Sequence, residues 1–172
     1  MIYSPIPPSP SRGRARVGVK GVHSMKALTL ELALKMLEAA ERWAKDIAGF
    51  SCSIAVVDQA GAVIAVHRMD GAAMATTDIA IEKAWTAVAF KMPTLMGSRW
   101  LDPRNMGKLM GDHAMGMIGR GKGRLCFIPG GIPVTDEENE VIGAIGCSGV
   151  PSGVGDISDT SVSQAGVTAL YE

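Results

Sequence analysis

The spacing of apolar residues predicts helices in three places. Between Thr29 and Gly49 apolar residues recur every three or four positions, and charged residues fall mostly elsewhere on the helical wheel. This pattern is typical of a long amphipathic helix. Thr29 suits its N-cap, because a threonine hydroxyl accepts from a free backbone N–H, and Gly49 suits the left-handed residue that ends it.

Two later segments carry the same spacing. The first is expected to begin at Thr76 or Thr77, either of which can cap it, and to stop before Pro93, which cannot continue a helix. The second is a short closing helix capped by Ser158 or Asp159.

Strand patterns come in pairs. Apolar runs at residues 53–57 and 62–66 flank a glycine-bearing turn, and runs at 130–134 and 141–149 flank a polar segment too short for a helix. Both pairs predict β-hairpins. A further apolar run at residues 125–128 predicts a strand that enters the second hairpin.

The order of these elements predicts the fold class. Adjacent hairpins imply an antiparallel sheet, and amphipathic helices need a sheet face to cover. We therefore expect a single α+β domain with profilin-like layering, in which an antiparallel sheet of about five strands is flanked by helices. At 172 residues the chain is long enough for one such core.

Residues 1–24 differ from the remainder. They are proline-rich and carry four basic residues and no acidic one, which leaves 13 basic against 17 acidic residues in the rest of the chain. They lack the apolar centre of a signal peptide. The pattern predicts a disordered extension before a domain at 25–172, and Met25 is a candidate for the natural first residue.

Composition excludes several classes of function. The net charge is zero, and no apolar run approaches a membrane span, so neither nucleic acid nor a membrane is an expected partner. Three scattered cysteines argue against a disulfide framework and favour a reducing cytoplasm. Motifs for nucleotide cofactors, a zinc site or a hydrolase elbow are missing.

The second hairpin is unusually rich in glycine. On its second arm Ile142, Ala144, Gly146 and Ser148 alternate with bulkier side chains, so one side is stripped almost to backbone. Glycine in a strand marks a bulge or the close approach of a ligand or another backbone. Two interpretations remain open here: a surface that a ligand approaches, or tight packing of a helix on the sheet.

Three charged residues earlier in the chain suggest a carboxylated ligand. Arg68 and Asp70 stand where a strand gives way to a loop, and Lys83 lies among apolar neighbours, so its amine must reach solvent, a carboxylate or a ligand. A planar ligand with acidic groups would suit this set, with Arg68 and Lys83 meeting its carboxylates.

A methionine-rich stretch follows the second helix. Short helical turns are expected around residues 94–100 and 105–117, and the methionines there suit an adaptable wall, a subunit interface or gap-filling in a core. His113 lies in this stretch and is a candidate metal ligand, against the commoner role of a structural or surface histidine.

Four motifs in order resemble those of the GlcG/HbpS family. They are Arg68-Met-Asp-Gly-Ala72, Ala80-x-x-Lys83-Ala84-x-Thr86-Ala87, Gly130-Gly-Ile-Pro133 and Ile142-Gly-Ala-Ile-Gly-Cys-Ser-Gly149. The resemblance covers roughly residues 26–170. The family includes haem-binding HbpS proteins and resembles the C-terminal domain of PduO-type cobalamin adenosyltransferases.

The resemblance implies a compact α+β domain that forms homo-oligomers, often octamers, and binds haem or another tetrapyrrole in some members. The residues that would line the site are Arg68, Asp70, Lys83 and the glycine-rich arms with Gly130, Gly131, Ile132, Pro133, Gly146, Ser148 and Gly149. No family motif marks a haem-ligand histidine in this chain, so His113 and His67 are candidates from the residues alone. Two departures fall beside this site: Ser158-Asp159 replaces the usual Gln-Asp, and Val150-Pro151 replaces a further glycine.

Two other functions stay open. The first is a cofactor-independent tautomerase, isomerase or decarboxylase acting on a small carboxylated metabolite, in which Arg68 anchors the carboxylate and Asp70 or Lys83 moves a proton. The second is a scaffolding protein whose glycine and methionine surfaces are subunit interfaces.

Overall fold

The structure, a computed structural model, describes residues 26–101, 113, 115–151 and 156–172. It shows an antiparallel sheet of four strands in the order β2-β1-β4-β3. The elements are α1 (Leu30–Trp43), a π-helical turn (Ala44–Ala48), β1 (Ser53–Asp58), β2 (Val63–Arg68), α2 (Thr76–Phe90), α3 (Thr94–Leu101), β3 (Gly131–Thr135), β4 (Val141–Ser148) and α4 (Asp159–Thr168).

Both predicted hairpins are confirmed. β1 pairs with β2 from Ser53 opposite Arg68, and β3 pairs with β4 from Gly131 opposite Gly146. β1 and β4 then join the hairpins in the middle of the sheet, where Ser53 lies opposite Ser148. The two hairpins therefore form one continuous sheet with β2 and β3 at its edges.

The ends of α1 and α4 also follow the predictions. The Leu32 N–H donates to Thr29 Oγ1 at 3.3 Å, and Gly49 has a φ of 72°, which an L side chain rarely adopts. At α4 the Ser161 N–H donates to Ser158 Oγ at 3.3 Å. Local side-chain chemistry thus fixes where these two helices begin.

The predicted strand at residues 125–128 is wrong. The Cys126 N–H donates to Thr86 Oγ1 at 2.8 Å, so a side chain of α2 takes the donor that a neighbouring strand would need. Thr86 in turn donates to the Arg124 carbonyl at 3.3 Å. This segment is buried by docking on α2, and the described sheet has four strands rather than about five.

The predicted cap of α2 is also wrong. Thr76 is the first helical residue, and Ala75 occupies the N-cap without a side-chain hydrogen bond. The Thr76 hydroxyl donates instead to the Ala73 carbonyl at 2.6 Å and lies 2.8 Å from Ser53 Oγ. Its hydroxyl therefore joins the helix to β1 rather than closing the helix end.

The methionine-rich stretch is only partly described. Residues 94–101 form a helix as predicted, and residues 113 and 115–120 are helical, while most of the predicted turn at 105–117 lies outside the described residues. The extension at 1–24 also lies outside them. No helix among the described residues is long and apolar enough to cross a membrane.

Helices cover both faces of the sheet, at different distances. On one face α1 and α4 pack on larger side chains, including Met36, Leu37, Ile54, Ile145 and Val162. On the other face α2 meets small residues, with Ala84 and Ala87 against Ala144 and Val57. A Cβ built on Gly146 would lie 2.2 Å from the Ala80 carbonyl oxygen. α2 therefore sits nearly on the backbone of β4.

Because α2 lies so close to Gly146, adding one methyl group at that position should strongly lower the stability of the fold. Gly146→Ala should lower the free energy of unfolding by about 1–3 kcal/mol or more, because the neighbour it strikes is helix backbone that cannot rotate away. The midpoint of urea unfolding measures the loss. Gly119→Ala is the matched control, since no atom lies within 4 Å of its Cβ position and alanine favours a helix. Equal midpoints for the two variants would contradict the packing argument.

Candidate functional site

The predicted site residues gather at one end of the sheet. Arg68, Ser53 and Ser148 lie in one row across β2, β1 and β4. Gly131 begins β3 at the same end, and Gly149 follows β4 directly. The chain therefore brings Arg68, Ser148 and the Gly130–Gly131 pair into one region, as predicted from the motifs.

Arg68 and Asp70 lie at the exposed margin of this region. Arg68 Nη2 donates to the Ala72 carbonyl at 2.8 Å, and Ser51 Oγ donates to the Asp70 carbonyl at 2.8 Å. Both residues are solvent-exposed. These bonds shape the turn after β2, and they leave the Asp70 carboxylate and the rest of the Arg68 guanidinium facing solvent.

Lys83 is buried, with only 1% of its surface exposed. Its Nζ donates to Asp159 Oδ2 at 2.7 Å and to the Cys147 carbonyl at 2.9 Å. The sequence required a carboxylate, a ligand or solvent for this amine, and the structure supplies a carboxylate from α4. No hydrogen bond or ion pair joins Lys83 to Asp70 among the described residues.

Asp159 uses both of its carboxylate oxygens. Oδ2 accepts from Lys83, and Oδ1 accepts from the Val150 N–H at 2.8 Å and from Cys147 Sγ at 3.5 Å. A buried charge is tolerated only when it is paired and hydrogen-bonded in this way. One carboxylate thus links α2, the end of β4 and the loop that leads into α4.

Gly130 makes room for this pair. Its φ is 131°, and a Cβ there would lie 2.7 Å from the Cys147 carbonyl oxygen and 3.1 Å from Lys83 Cδ. Ser163 Oγ on α4 donates to the Gly130 carbonyl at 2.7 Å. Glycine is required at this position because the φ is one that L side chains rarely adopt and because a Cβ would strike the Cys147 carbonyl and Asp159 Cβ, the latter at 2.8 Å.

Gly131 and Gly146, two further residues predicted to contact a ligand, are instead explained by tight packing of a helix on the sheet. The Cβ positions of Gly131 and Gly146 meet the backbone of α2, at the carbonyls of Lys83 and Ala80 respectively. At both positions the space in front of the glycine is filled by the protein's own helix.

The other predicted lining residues are divided. Ile132 belongs to the core, and Pro133 is half-buried on the edge strand β3, where proline is tolerated because one side of the strand has no partner. Ser148 is buried and Gly149 is exposed. Among the predicted lining residues Arg68 and Gly149 are exposed, and the buried Ser148 is the neighbour of Gly149 in the chain.

Two cavities in the described part of the chain are large enough for a small molecule, and the larger one passes close to Gly130 and Asp159, since Pro129 and Ser158 line it. A groove of about 1,020 Å³ runs between α1 and α4, and it is lined by Ala39, Arg42, Trp43, Leu95, Pro129, Asp156, Ser158, Thr160, Ser161, Gln164, Ala165, Thr168, Ala169 and Glu172. A smaller cavity of about 430 Å³ lies between the β1–β2 turn and α2. The residues predicted for the site line neither of them.

In the smaller cavity Glu82 stands beside Trp85 and Arg124. Partial burial, with a smaller contribution from the negative charge of Asp78, raises the pKa of Glu82. Sequence reasoning missed this cavity, because the residues that form it come from three separate segments.

Histidines offer limited metal chemistry in the described part of the chain. His113 is exposed, and its neighbours in sequence lie outside the described residues. His67 Nδ1 lies 2.9 Å from Glu41 Oε2, so its ring is held by a carboxylate on α1. No group of three His, Cys, Asp or Glu side chains converges on a point among the described residues.

Comparisons with known proteins place this fold in a family. A family model described as HbpS-like, haem degrading protein, matches residues 28–168. The chain belongs to the HbpS-like family. This confirms the resemblance carried by the four motifs.

Solved structures agree with this assignment. The chain is similar to Klebsiella pneumoniae protein ORFY, with a TM-score of 0.71 and 27% identity over 92% of this chain and 98% of that one. It is similar to a double mutant of Streptomyces reticuli HbpS, with a TM-score of 0.68 and 31% identity over 92% and 99%. It is also similar to PduOC in a haem complex, with a TM-score of 0.68 and 25% identity over 83% and 94%.

Because the Lys83–Asp159 pair is buried, replacing Lys83 should destabilise the protein much more than replacing Lys91, whose ion pair is exposed. Lys83→Met should lower the free energy of unfolding by about 3–5 kcal/mol, because it leaves the Asp159 carboxylate buried without its cation. Lys91→Met removes a pair with Glu140 that is about 70% exposed and should cost no more than about 1 kcal/mol. Urea unfolding of both variants makes the comparison. A similar loss in the two would show that the Lys83 pair carries no special weight.

The burial of the thiols predicts how the stability of the protein changes at alkaline pH. All three cysteines are buried, and burial raises the pKa of Cys126 and of Cys147 above that of a free thiol. Unfolding exposes thiols that ionise near pH 8.5, so these groups favour the unfolded state increasingly as pH rises above about 8.5.

We therefore expect stability to fall on the alkaline side, with a smaller fall in Cys147→Ala. We also expect an aromatic disulfide reagent to titrate the thiols only after denaturant is added. Rapid reaction of the folded protein would contradict the burial of these groups.

Proposed function

We propose that this protein binds haem, or another tetrapyrrole, as its small-molecule ligand. The observation that carries the proposal is membership of the HbpS-like family together with similarity to PduOC in a haem complex. The proposal extends to this chain what the printed descriptions say of those proteins.

The groove between α1 and α4 is the host that suits such a ligand best among the described cavities. Its volume of about 1,020 Å³ is at the upper end of the range of roughly 300–1,000 Å³ common for ligand pockets. Trp43 and Leu95 offer apolar contact to a ring face, and Arg42 offers a cation to a propionate carboxylate. Haem bound there would supply an iron centre.

The groove provides no nitrogen or sulfur ligand for that iron among its lining side chains, which include no His, Cys or Met. The fit is therefore to the ring and the propionates. His113 does not line this groove, so its proposed role as iron ligand applies to a haem bound outside the groove. Arg68, Ser148 and Gly149 at the sheet end stay the proposed alternative position for the carboxylates.

The catabolic-enzyme alternative gains no support from Lys83. That amine is buried and already hydrogen-bonded to two protein acceptors, so a proton transfer to a ligand would first have to break the pair with Asp159. We accordingly propose binding rather than proton transfer as the function.

We also propose that the protein acts as a homo-oligomer. Leu30 and Leu34, one turn apart on the same face of α1, are 56% and 39% exposed, and neighbouring exposed apolar side chains are typical of an interaction surface. Burial between subunits would remove these surfaces from water.

A hemin titration of the full chain tests the proposal and locates the ligand. We expect a saturable Soret band at one haem per chain, weakened in Arg42→Met if a propionate lies in the groove. Arg68→Met is the charge-matched variant for the sheet end, and it loses only one hydrogen bond, to the Ala72 carbonyl. His113→Ala should leave the band unchanged for a haem in the groove, which His113 does not line, and should shift it for a haem bound outside the groove with His113 as its iron ligand.

The pattern of loss among the variants shows where the ligand binds and whether haem binds at all. A loss confined to Arg68→Met would move the site to the sheet end predicted from the motifs. Non-saturable uptake, no different from that of a generic apolar protein, would overturn haem binding itself.

A further inference from the structure

The smaller cavity carries one charge of each sign on its wall. It encloses about 430 Å³ between the β1–β2 turn and α2, and it is lined by Ala60, Gly61, Ala62, Val63, Ile81, Glu82, Trp85 and Arg124. Among the described residues, neither the Glu82 carboxylate nor the Arg124 guanidinium makes a hydrogen bond or an ion pair. Both charges are therefore available to a ligand in the cavity.

Trp85 forms a fixed part of the wall. A Cβ on Gly61 would lie 2.5 Å from Trp85 Cδ1 and 2.7 Å from Trp85 Nε1, so the edge of the indole rests directly on the β1–β2 turn. That turn is itself braced, because Asp58 Oδ1 accepts from the Ala60 and Ala62 N–H groups at 2.8 and 2.9 Å. The position of the aromatic ring is thus set before any ligand arrives, which lowers the cost of binding.

The two charges reach the cavity from different segments. On α2, Ile81, Glu82 and Trp85 lie on one side of the helix, away from the alanines that pack on the sheet. Arg124 is brought beside this side of α2 by Thr86, whose Oγ1 donates to the Arg124 carbonyl at 3.3 Å and accepts from the Cys126 N–H at 2.8 Å. The helix and the docked segment therefore hold the opposite charges at one cavity without pairing them.

This arrangement suits a ligand that carries both signs of charge. Partial burial, and then the negative charge of Asp78, raise the pKa of Glu82, and a ligand cation beside the carboxylate would offset both effects. The face of a tryptophan also attracts an ammonium group. The guanidinium of Arg124 matches a carboxylate with two parallel hydrogen bonds. A simple anion would be repelled by Glu82, and a simple cation by Arg124.

We propose that this cavity binds a free α-amino acid with an apolar side chain. The ammonium group would lie between Glu82 and Trp85, the carboxylate would meet Arg124, and the side chain would contact Ile81 and Val63. The volume of about 430 Å³ falls within the range of roughly 300–1,000 Å³ common for ligand pockets. This site shares no lining residue with the groove between α1 and α4, so it does not depend on haem binding.

Calorimetric titration of the full chain with L-leucine tests the proposal. Two analogues separate the charges, since 4-methylpentanoate lacks the ammonium group and 3-methylbutan-1-amine lacks the carboxylate. We expect saturable binding of one leucine per chain. Each analogue should bind about tenfold or more weakly, because it loses one charge-assisted hydrogen-bonding contact.

Variants assign the contacts to this cavity. Glu82→Gln and Arg124→Gln should each weaken leucine binding by about tenfold or more. Glu140→Gln and Arg99→Gln are the matched controls, because they remove the same charges from exposed positions outside the cavity and should bind leucine like the wild type. Hemin uptake by Glu82→Gln should equal that of the wild type, so failure of this proposal is distinguishable from failure of haem binding.

Three results would overturn the assignment. The first is absence of saturable leucine binding in the wild type. The second is wild-type affinity in both Glu82→Gln and Arg124→Gln, or equal affinity of leucine and a singly charged analogue. The third is saturable uptake of glycine betaine without uptake of leucine, which would assign the cavity to quaternary ammonium compounds instead.

Discussion

A buried lysine–aspartate pair joins the helices on opposite faces of the sheet. Lys83 comes from α2, Asp159 opens α4, and the 2.7 Å bond between them passes the end of β4. Neither charge could be buried alone, so each helix fixes the position of the other. Gly130 has to lack a side chain because a Cβ would strike the Cys147 carbonyl and Asp159 Cβ, both of which belong to residues that contact the pair. The glycine at this position therefore follows from the geometry around the buried pair.

The same pair decides what the sheet end can do chemically. A lysine with two protein acceptors and an aspartate with three donors are already satisfied, and the helix backbone fills the space before Gly131 and Gly146. The positions that stay open for the proposed ligand are Arg68, Ser148 and Gly149 at the margin and the groove beside α4. Most residues of the glycine-rich motifs are instead used in packing and in holding the ion pair.

Sequence predicted most of what depends on near neighbours; the cap of α2 is an exception, because the Thr76 hydroxyl contacts the Ala73 carbonyl and Ser53 of β1 instead. The caps at Thr29 and Ser158 and both hairpins were correct, because each rests on residues a few positions apart. The apolar run at 125–128 was misread as a strand, since burial by Thr86 of α2 and burial in a sheet leave the same pattern. The need of Lys83 for a carboxylate was predicted, but Asp159 stands 76 residues away and its burial appears only in the folded chain. The groove has no sequence signal either, because its walls come from separate helices.

The groove depends on the pair as much as the sheet end does. One wall is α1, and the other is α4, whose first residue is the aspartate bound to Lys83. Ser163, one turn further along α4, also donates to Gly130 and so fixes the same helix to the start of β3. Loss of these contacts would free the wall against which the proposed ligand would rest before it disturbed the hairpins. A rigid, fully satisfied ion pair at one end of the helix therefore stabilises the shape of a cavity to which it contributes no lining atom.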